Sequence, residues 1–225
     1  RSKHLGREEK FTIMEFGEAL PAFDVHADLF SIPALLNTTP NDIPEPVCLQ
    51  MKSRDREPWL KRLSGDKLNI GLAWQGNPQH ARDQERSAQL LDFNPIIQSE
   101  CNFYSLQVGD ALSQTSEIPT PLNLNVFPEI SESINAVEGK MLKTATLISC
   151  LDLVITVDTA IAHLAGVLGV PAWILVSKIP DWRWMMDIDT SPWYPASRLY
   201  RAEERYNWHH PIEHMCRDLD KKISN

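Results

Sequence analysis

At 225 residues, with 43% hydrophobic and 23% charged positions and a formal charge of −8, the chain can hold one large or two smaller globular domains. No apolar run approaches the roughly 20 residues that cross a bilayer, and RSKHLGREEK carries no apolar core behind its basic residues, so neither a membrane span nor a signal peptide is predicted within this sequence. The net acidity argues against a nucleic-acid partner while leaving room for a local basic pocket.

Residues 1–60 read poorly as an independent domain. A short strand is predicted at 11–16, and the Pro-, Asn-, Asp- and Thr-rich segment after it is mostly loop, with one short helix near 29–36. His26 lies in that loop, either facing solvent or serving an interdomain cleft. Residues 51–66 predict a short amphipathic helix with Trp59, Leu60 and Leu63 turned inward.

The main domain begins with a strand at 68–74, followed by the turn QGNPQH and a polar stretch carrying Arg82, Asp83, Arg86 and Ser87. Asn94-Pro95 has the form of an N-cap followed by proline in the first turn, and predicts a helix over 95–100. Strands are expected at 102–107 and 122–127, with a polar loop at 108–121 between them and irregular chain at 128–136. Residues 137–151 predict a helix whose apolar stripe is Met141, Leu142, Ala145, Ile148 and Leu151.

Residues 152–175, DLVITVDTAIAHLAGVLGVPAWIL, hold the clearest pattern in the chain. The β-branched run 153–157 is too short for a helix and predicts a strand. Asp158 or Thr159 then caps a helix over 160–168, Gly169 stops it, and a second strand follows at 172–176. Beyond it, Asp181 is placed to cap a helical turn through Trp182 and Trp184. A last strand is expected at 198–201 and a final amphipathic helix at 211–223. Five of the seven tryptophans fall after residue 170.

Strand–helix–strand repetition predicts an α/β fold with a Rossmann-like parallel sheet, whose carboxyl edge gathers the loops after successive strands. Those loops carry Gln75, Asn77, His80 and Arg86; Gln107; Asp158, Thr159, Ala160 and His163; and Lys178, Asp181 and Arg183. Amide and hydroxyl donors, an imidazole, a helix start and cations suit a diphosphate-bearing ligand. Each also has a plainer reading: Asp158 and Thr159 as a helix cap, His163 as a hydrogen-bonded core histidine, and the tryptophans as packing. Neither GxGxxG nor GxxxxGKS is present, which disfavours an NAD-dependent oxidoreductase and a P-loop. GxSxG and HExxH are also absent. Cys48, Cys101, Cys150 and Cys216 match no metal-ligand spacing and are expected to be free buried thiols of a reducing, cytoplasmic compartment. No metal site is expected.

GLAWQGNPQHARDQERS, FYSLQ, LISCLDLVITVDTAIAHLAGVLGVPAWILV and PDWRWMMDIDTSPWYP, taken in order, resemble the bacterial TPR-linked glycosyltransferases. The catalytic module of that family is similar to the ADP-heptose transferases of glycosyltransferase family 9 and, more distantly, to the O-linked N-acetylglucosamine transferases. LPAFDVHADLFSIPALLNTT resembles the segment just before their donor domain, and the likeness covers most of residues 18–208. It implies a GT-B fold in which residues 68–205 form the nucleotide-sugar-binding domain, 206–225 a helix crossing back, and 1–67 the tail of an acceptor domain plus linker.

The implied reaction is metal-independent transfer from a nucleoside-diphosphate sugar, a substrate rather than a cofactor, to an acceptor hydroxyl on a glycan, lipid or protein. His26 and, more weakly, His80 are the available general bases. The resemblance implies that Asp158, Thr159, Ala160 and His163 approach the donor diphosphate, that Gln75, Asn77, His80 and Arg86 lie in the loop facing the cleft, and that Lys178 and Asp181–Arg183 lie in the loop after the next strand; Ala160 stands where the heptose enzymes usually carry glycine. No 34-residue repeat is present, and residues 1–67 leave no room for an acceptor Rossmann domain. The sequence is therefore read as needing a further N-terminal domain or TPR partner. The alternative is a nucleotide-sugar-binding or scaffold protein derived from a transferase.

Overall fold

The computed structural model describes residues 12, 14, 17–63, 65–118, 123–131 and 140–224. Most of the strand predicted at 11–16 lies outside the described residues, as does Leu122. The chain forms two compact units, Arg1–Val47 and Cys48–Asn225. In the first, a 3₁₀ turn over Leu29–Ser31 runs into α1 (Ile32–Leu35), at the place predicted for a short helix. Its large apolar side chains, Phe23, Leu29, Phe30 and Leu36 among them, are exposed.

The second unit is built on six strands: β1 (Asn69–Ala73), β2 (Asn102–Ser105), β3 (Leu124–Asn125), β4 (Leu153–Val157), β5 (Ala172–Val176) and β6 (Ser197–Arg201). They pair in parallel in the order β3-β2-β1-β4-β5-β6. This is the doubly wound order, whose direction of winding reverses between β1 and β4.

Both faces of the sheet are covered, and all five residues of the central strand β4 are buried, with Thr156 as the one polar member. Ile70, Leu72, Leu153, Ile155 and Val157 point to one face, against α4 (Asn94–Ile97) and α8 (His209–Ile223). Ala73, Val154, Ile174 and Val176 point to the other, which is covered by α2 (Ser53–Leu60), α6 (Lys140–Ile148) and α7 (Ala160–Val167). Gly71 belongs to that second face because a Cβ there would stand 2.6 Å from Leu106 and 2.7 Å from Leu151. Two further short helices, α3 (Asp83–Arg86) and α5 (Pro128–Ser131), lie in connections.

Several local expectations are corrected. In α2 Trp59 is buried, but Leu60 is half exposed. Asn94 does not cap α4: a 3₁₀ turn over Leu90–Phe93 feeds directly into that helix and makes Asn94 its first residue. The start of the turn is instead held by Asp92, whose carboxylate accepts from Gln89 N at 2.8 Å. Residues 110–116 wind into a 3₁₀ helix, and α5 falls in the stretch expected to be irregular. In α6 Ala145 and Ile148 are buried as expected, whereas Met141 and Leu142 are exposed and Leu147 is buried. The helix packs on α2, α5 and α7, and these neighbours decide which of its side chains are covered.

The 152–175 stretch forms as its pattern dictates. α7 ends in a Schellman turn, with Gly169 N donating to Gly166 O at 3.1 Å and Val170 N to Ala165 O at 3.0 Å. Gly169 takes φ +68°, the left-handed conformation this turn requires.

Candidate functional site

A cleft of about 740 Å³ opens at the carboxyl ends of β1, β4 and β5, against the point where the winding reverses. Its floor is the start of α7. Thr159 is the N-cap (φ −139°, ψ 175°), and its Oγ1 accepts from Ile161 N at 3.3 Å and lies 3.3 Å from Thr156 Oγ1. A helix start leaves first-turn N–H groups without intrahelical partners and carries partial positive charge.

The loop after β1 supplies one wall through a chain of contacts. Gly76 N donates to Ser87 Oγ (2.9 Å), and Ser87 Oγ to Asp83 Oδ1 (2.9 Å). Arg86 Nε lies 3.3 Å from that same carboxylate oxygen, while Arg86 Nη1 donates to Asp158 O at 2.8 Å. The buried Arg86 Nε makes only the ion pair, with no directed hydrogen bond. Gly76 is what makes room for this arrangement: a Cβ there would stand 2.6 Å from Arg86 Nη2 and from Asp83 Oδ1. Arg82 spans from this loop to the next, donating to Glu85 Oε2 (2.7 Å) and to Ile179 O (2.6 Å). The Arg82 guanidinium holds the Glu85 carboxyl below its ordinary range.

The far wall is aromatic. His163, one turn into α7, stacks on fully buried Trp184 with ring centroids 5.3 Å apart and planes 13° off parallel. Its Nδ1 is 3.0 Å from the Tyr194 hydroxyl. Burial lowers the imidazole's affinity for a proton, outweighing the opposite pull of Asp158. Tyr194 lies against the α7 backbone, where a Cβ at Gly166 would stand 2.2 Å from its ring. At the mouth, Trp182 is half exposed and packs edge-on to Trp193 at 5.8 Å. Arg183 lies 4.8 Å over the Trp182 ring and donates to Asp181 Oδ1 at 2.7 Å. Asp181 also caps the 3₁₀ turn Trp182–Trp184, as the sequence suggested.

His80, Arg86, Asp158, Thr159, Ala160, His163, Asp181 and Arg183 therefore line one cleft. Gln107 lies outside it, and its buried amide staples the ends of β1 and β2. Its Oε1 accepts from Trp74 N (3.0 Å) and Gln75 N (2.9 Å), and its Nε2 donates to Gln75 O and Val108 O, both at 3.0 Å. Gln75 Oε1 accepts from Gln114 Nε2 at 3.1 Å, and Asn77 Oδ1 closes an Asx turn on Gln79 N at 3.0 Å. Lys178 is exposed and does not itself line the cleft, although Ser177 and Ile179 on either side of it do. His26 belongs to the Arg1–Val47 unit, where it is exposed and edge-on to Phe23 at 5.9 Å.

Sequence reasoning missed Arg82, Trp193 and Tyr194 as cleft residues. Trp193 and Tyr194 sit in the SPWYP stretch, and no local pattern announces that it folds back onto α7. The cysteines are free, as expected, but of the four only Cys101 is buried; Cys150 and Cys216 are partly exposed and Cys48 is exposed. Among the described residues, no three His, Cys, Asp or Glu side chains gather in a metal-binding group. No helix among them is long and apolar enough to cross a membrane.

No protein-family model matches the chain. Protein FlbA of Caulobacter vibrioides is 27% identical over 156 residues, a match covering 67% of this chain and 25% of FlbA. The fold aligns with the E. coli ADP-heptose LPS heptosyltransferase II at a TM-score of 0.53 and 14% identity, covering 82% of this chain and 56% of that one. It aligns equally well, at 0.53 and 11% identity, with a glycosyltransferase family 9 structure from Veillonella parvula, covering 78% of this chain and 53% of that one. The chain thus spans a quarter of the curated relative and just over half of either solved structure. Its parallel α/β fold is the one found in these GT-B-type glycosyltransferases.

Proposed function

We propose that the cleft binds the diphosphate of a nucleoside-diphosphate sugar, and that residues 68–205 are the donor-binding domain of a glycosyltransferase. The observation that carries this reading is the convergence, at one sheet edge, of the α7 start with Arg86, His163 and Arg183 around an open cleft. These groups offer N–H donors and positive charge where a leaving diphosphate would gain negative charge. The bond from the sugar's anomeric carbon to the diphosphate breaks as the acceptor oxygen attacks that carbon. The acceptor's proton passes to a general base, and the nucleoside diphosphate departs. Positive charge comes from side chains and the helix start, which supports a route without metal. His80, at the cleft, and His26 are the bases proposed. Residues 1–67 are the linker and acceptor-side tail, and 206–225 the crossing helix, of a larger TPR-linked enzyme acting on a glycan, lipid or protein hydroxyl. Free cysteines support a cytoplasmic setting.

A second reading is a nucleotide-sugar-binding scaffold without turnover of its own. Calorimetry with UDP, GDP and ADP, followed by a donor-hydrolysis assay, separates the two. Binding with turnover supports the transferase, and binding without turnover the scaffold. Binding that survives both Thr159→Val and His163→Ala removes the diphosphate site.

A further inference from the structure

The imidazole of His163 has two nitrogens with different neighbours. Nδ1 meets the Tyr194 hydroxyl at 3.0 Å, which leaves Nε2 as the nitrogen able to meet a ligand in the cleft that His163 lines. Ring position is fixed from both sides. The face stacks on Trp184, whose carbonyl accepts from Arg201 Nη2, and the edge is held by Tyr194. Tyr194 is itself immobilised: its ring occupies the space above Gly166, and Ser191 Oγ accepts from Trp193 N (3.2 Å) and Tyr194 N (3.3 Å) to shape the turn that carries it.

Two neutral tautomers satisfy the Nδ1 contact. With the proton on Nδ1, the histidine donates to the tyrosine oxygen and turns a lone pair toward the cleft. With the phenol donating to Nδ1, the proton sits on Nε2 and the cleft receives a donor. Only the second complements a helix start and Arg86 in meeting an anion; a lone pair would repel it.

We propose that Tyr194 is a positioning residue: its hydroxyl donates to His163 Nδ1, fixing the tautomer that presents Nε2–H to the diphosphate. The ligand half of this statement rests on the donor-site reading above; the tautomer half does not. The titratable and charged groups around the imidazole are Asp158 at the end of β4, Asp181 and Arg183 after β5, and Tyr194 itself. Asp158 and Asp181 favour the protonated ring, Arg183 opposes it, and burial decides for the neutral form. Tyr194 stays a neutral phenol because burial raises its ionisation further above the ordinary range.

The test uses the full chain with ¹⁵N-labelled histidine, the His163 signals being assigned by their loss in His163→Ala. Long-range proton–nitrogen spectra at pH 7.5 should show His163 protonated on Nε2 and bare on Nδ1. Tyr194→Phe keeps the ring over Gly166 and removes only the hydroxyl. It should mix the tautomers and raise the pH at which His163 protonates. UDP or ADP affinity, whichever binds, should fall about five- to tenfold, the scale of one lost hydrogen bond. A wild-type ring protonated on Nδ1, or a Tyr194→Phe protein with an unchanged tautomer and titration, overturns the positioning role. An altered tautomer with unchanged nucleotide affinity overturns the link from Tyr194 to the ligand. If no nucleotide binds the wild type, the donor-site reading fails while the tautomer result still decides the role of Tyr194.

Discussion

At the ends of β1, β4 and β5 a histidine–tyrosine pair and three arginines border an open cleft; on β6 and α8 a histidine, a tyrosine hydroxyl and an arginine converge on Asp218. The second cluster is closed. Asp218 is buried and takes Arg198 Nη1 at 2.8 Å, Lys221 Nζ at 3.0 Å, Tyr200 Oη at 3.2 Å and His214 Nε2 at 3.4 Å. Burial alone would raise its carboxyl pKa, but Lys221, Arg198 and Tyr200 together hold it below the ordinary value. Tyr200 is pushed well above the ordinary phenol range, by burial first. At the cleft, the Nδ1 side of His163 is tied to Tyr194 while the ring still lines the opening, and Arg86 keeps a buried Nε without a directed hydrogen bond. Similar side chains therefore mean different things according to whether their polar atoms answer one another or face an opening. The first kind holds an element in place, and the second is equipped to meet a ligand.

The largest effect should come from breaking the closed cluster. Asp218→Ala leaves the Tyr200 hydroxyl and Arg198 without their acceptor and should cost about 2–3 kcal/mol in urea unfolding. The figure is kept below that of a fully buried pair because Arg198 and Lys221 are partly solvated. Nucleotide affinity should not change; a protein of unaltered stability would remove the structural role given to this cluster.

Next in size are losses at the cleft. Arg86→Ala should weaken nucleoside diphosphate binding about 10- to 100-fold, the worth of a charged hydrogen bond. Gly76→Ala should reproduce much of that loss with the arginine still present, because its Cβ would occupy the guanidinium's place. Full-strength binding by Gly76→Ala would contradict the coupling between loop and arginine.

Acid should distinguish the two clusters by window. The folded pKa of His163 is depressed from 6.5, so the unfolded chain binds the proton first; its contribution is complete above that value and is lost as pH falls toward the folded one. The carboxyl pKa of Asp218 is depressed from 3.8, so its contribution persists until pH drops below about 4. Stability curves of His163→Gln should flatten in the upper window, and those of Asp218→Asn in the lower. Exchange of those windows would contradict the assigned environments.

The smallest effect is expected at Lys178. Lys178→Ala should change stability by less than about 0.5 kcal/mol, and binding about as little, because the side chain is exposed and is not among the residues that line the cleft. A tenfold affinity loss would extend the cleft beyond its described walls.

How far the sequence was legible follows the range of the forces involved. β4, α7 and β5 could be read because periodicity, an N-cap and a glycine stop act within a few neighbouring residues. Thr159 and Asp181 were readable as caps for the same reason. The rotation of α6 and the outward turn of Leu60 depend on which neighbour arrives from elsewhere in the chain, whereas the shift of the helix start from Asn94 to Leu90 follows from a local Gln89–Asp92 capping box that the Asn94-Pro95 signal obscured. Tyr194 meets His163 across 31 residues, and Gln107 meets the end of β1 across 32 or more. Neither has a local signature. Loop position at a strand end located the cleft, but only packing decided which loop side chains enter it.

The central claim is that the cleft at the ends of β1, β4 and β5 grips a diphosphate. Its most direct test is amide shift mapping of the ¹⁵N-labelled full chain titrated with UDP, GDP and ADP. At least one should bind with shifts concentrated at Arg86, Thr159–His163 and Arg183, and unlabelled phosphate should compete. Shifts confined to the β6–α8 side, or no binding by any of the three, would contradict it.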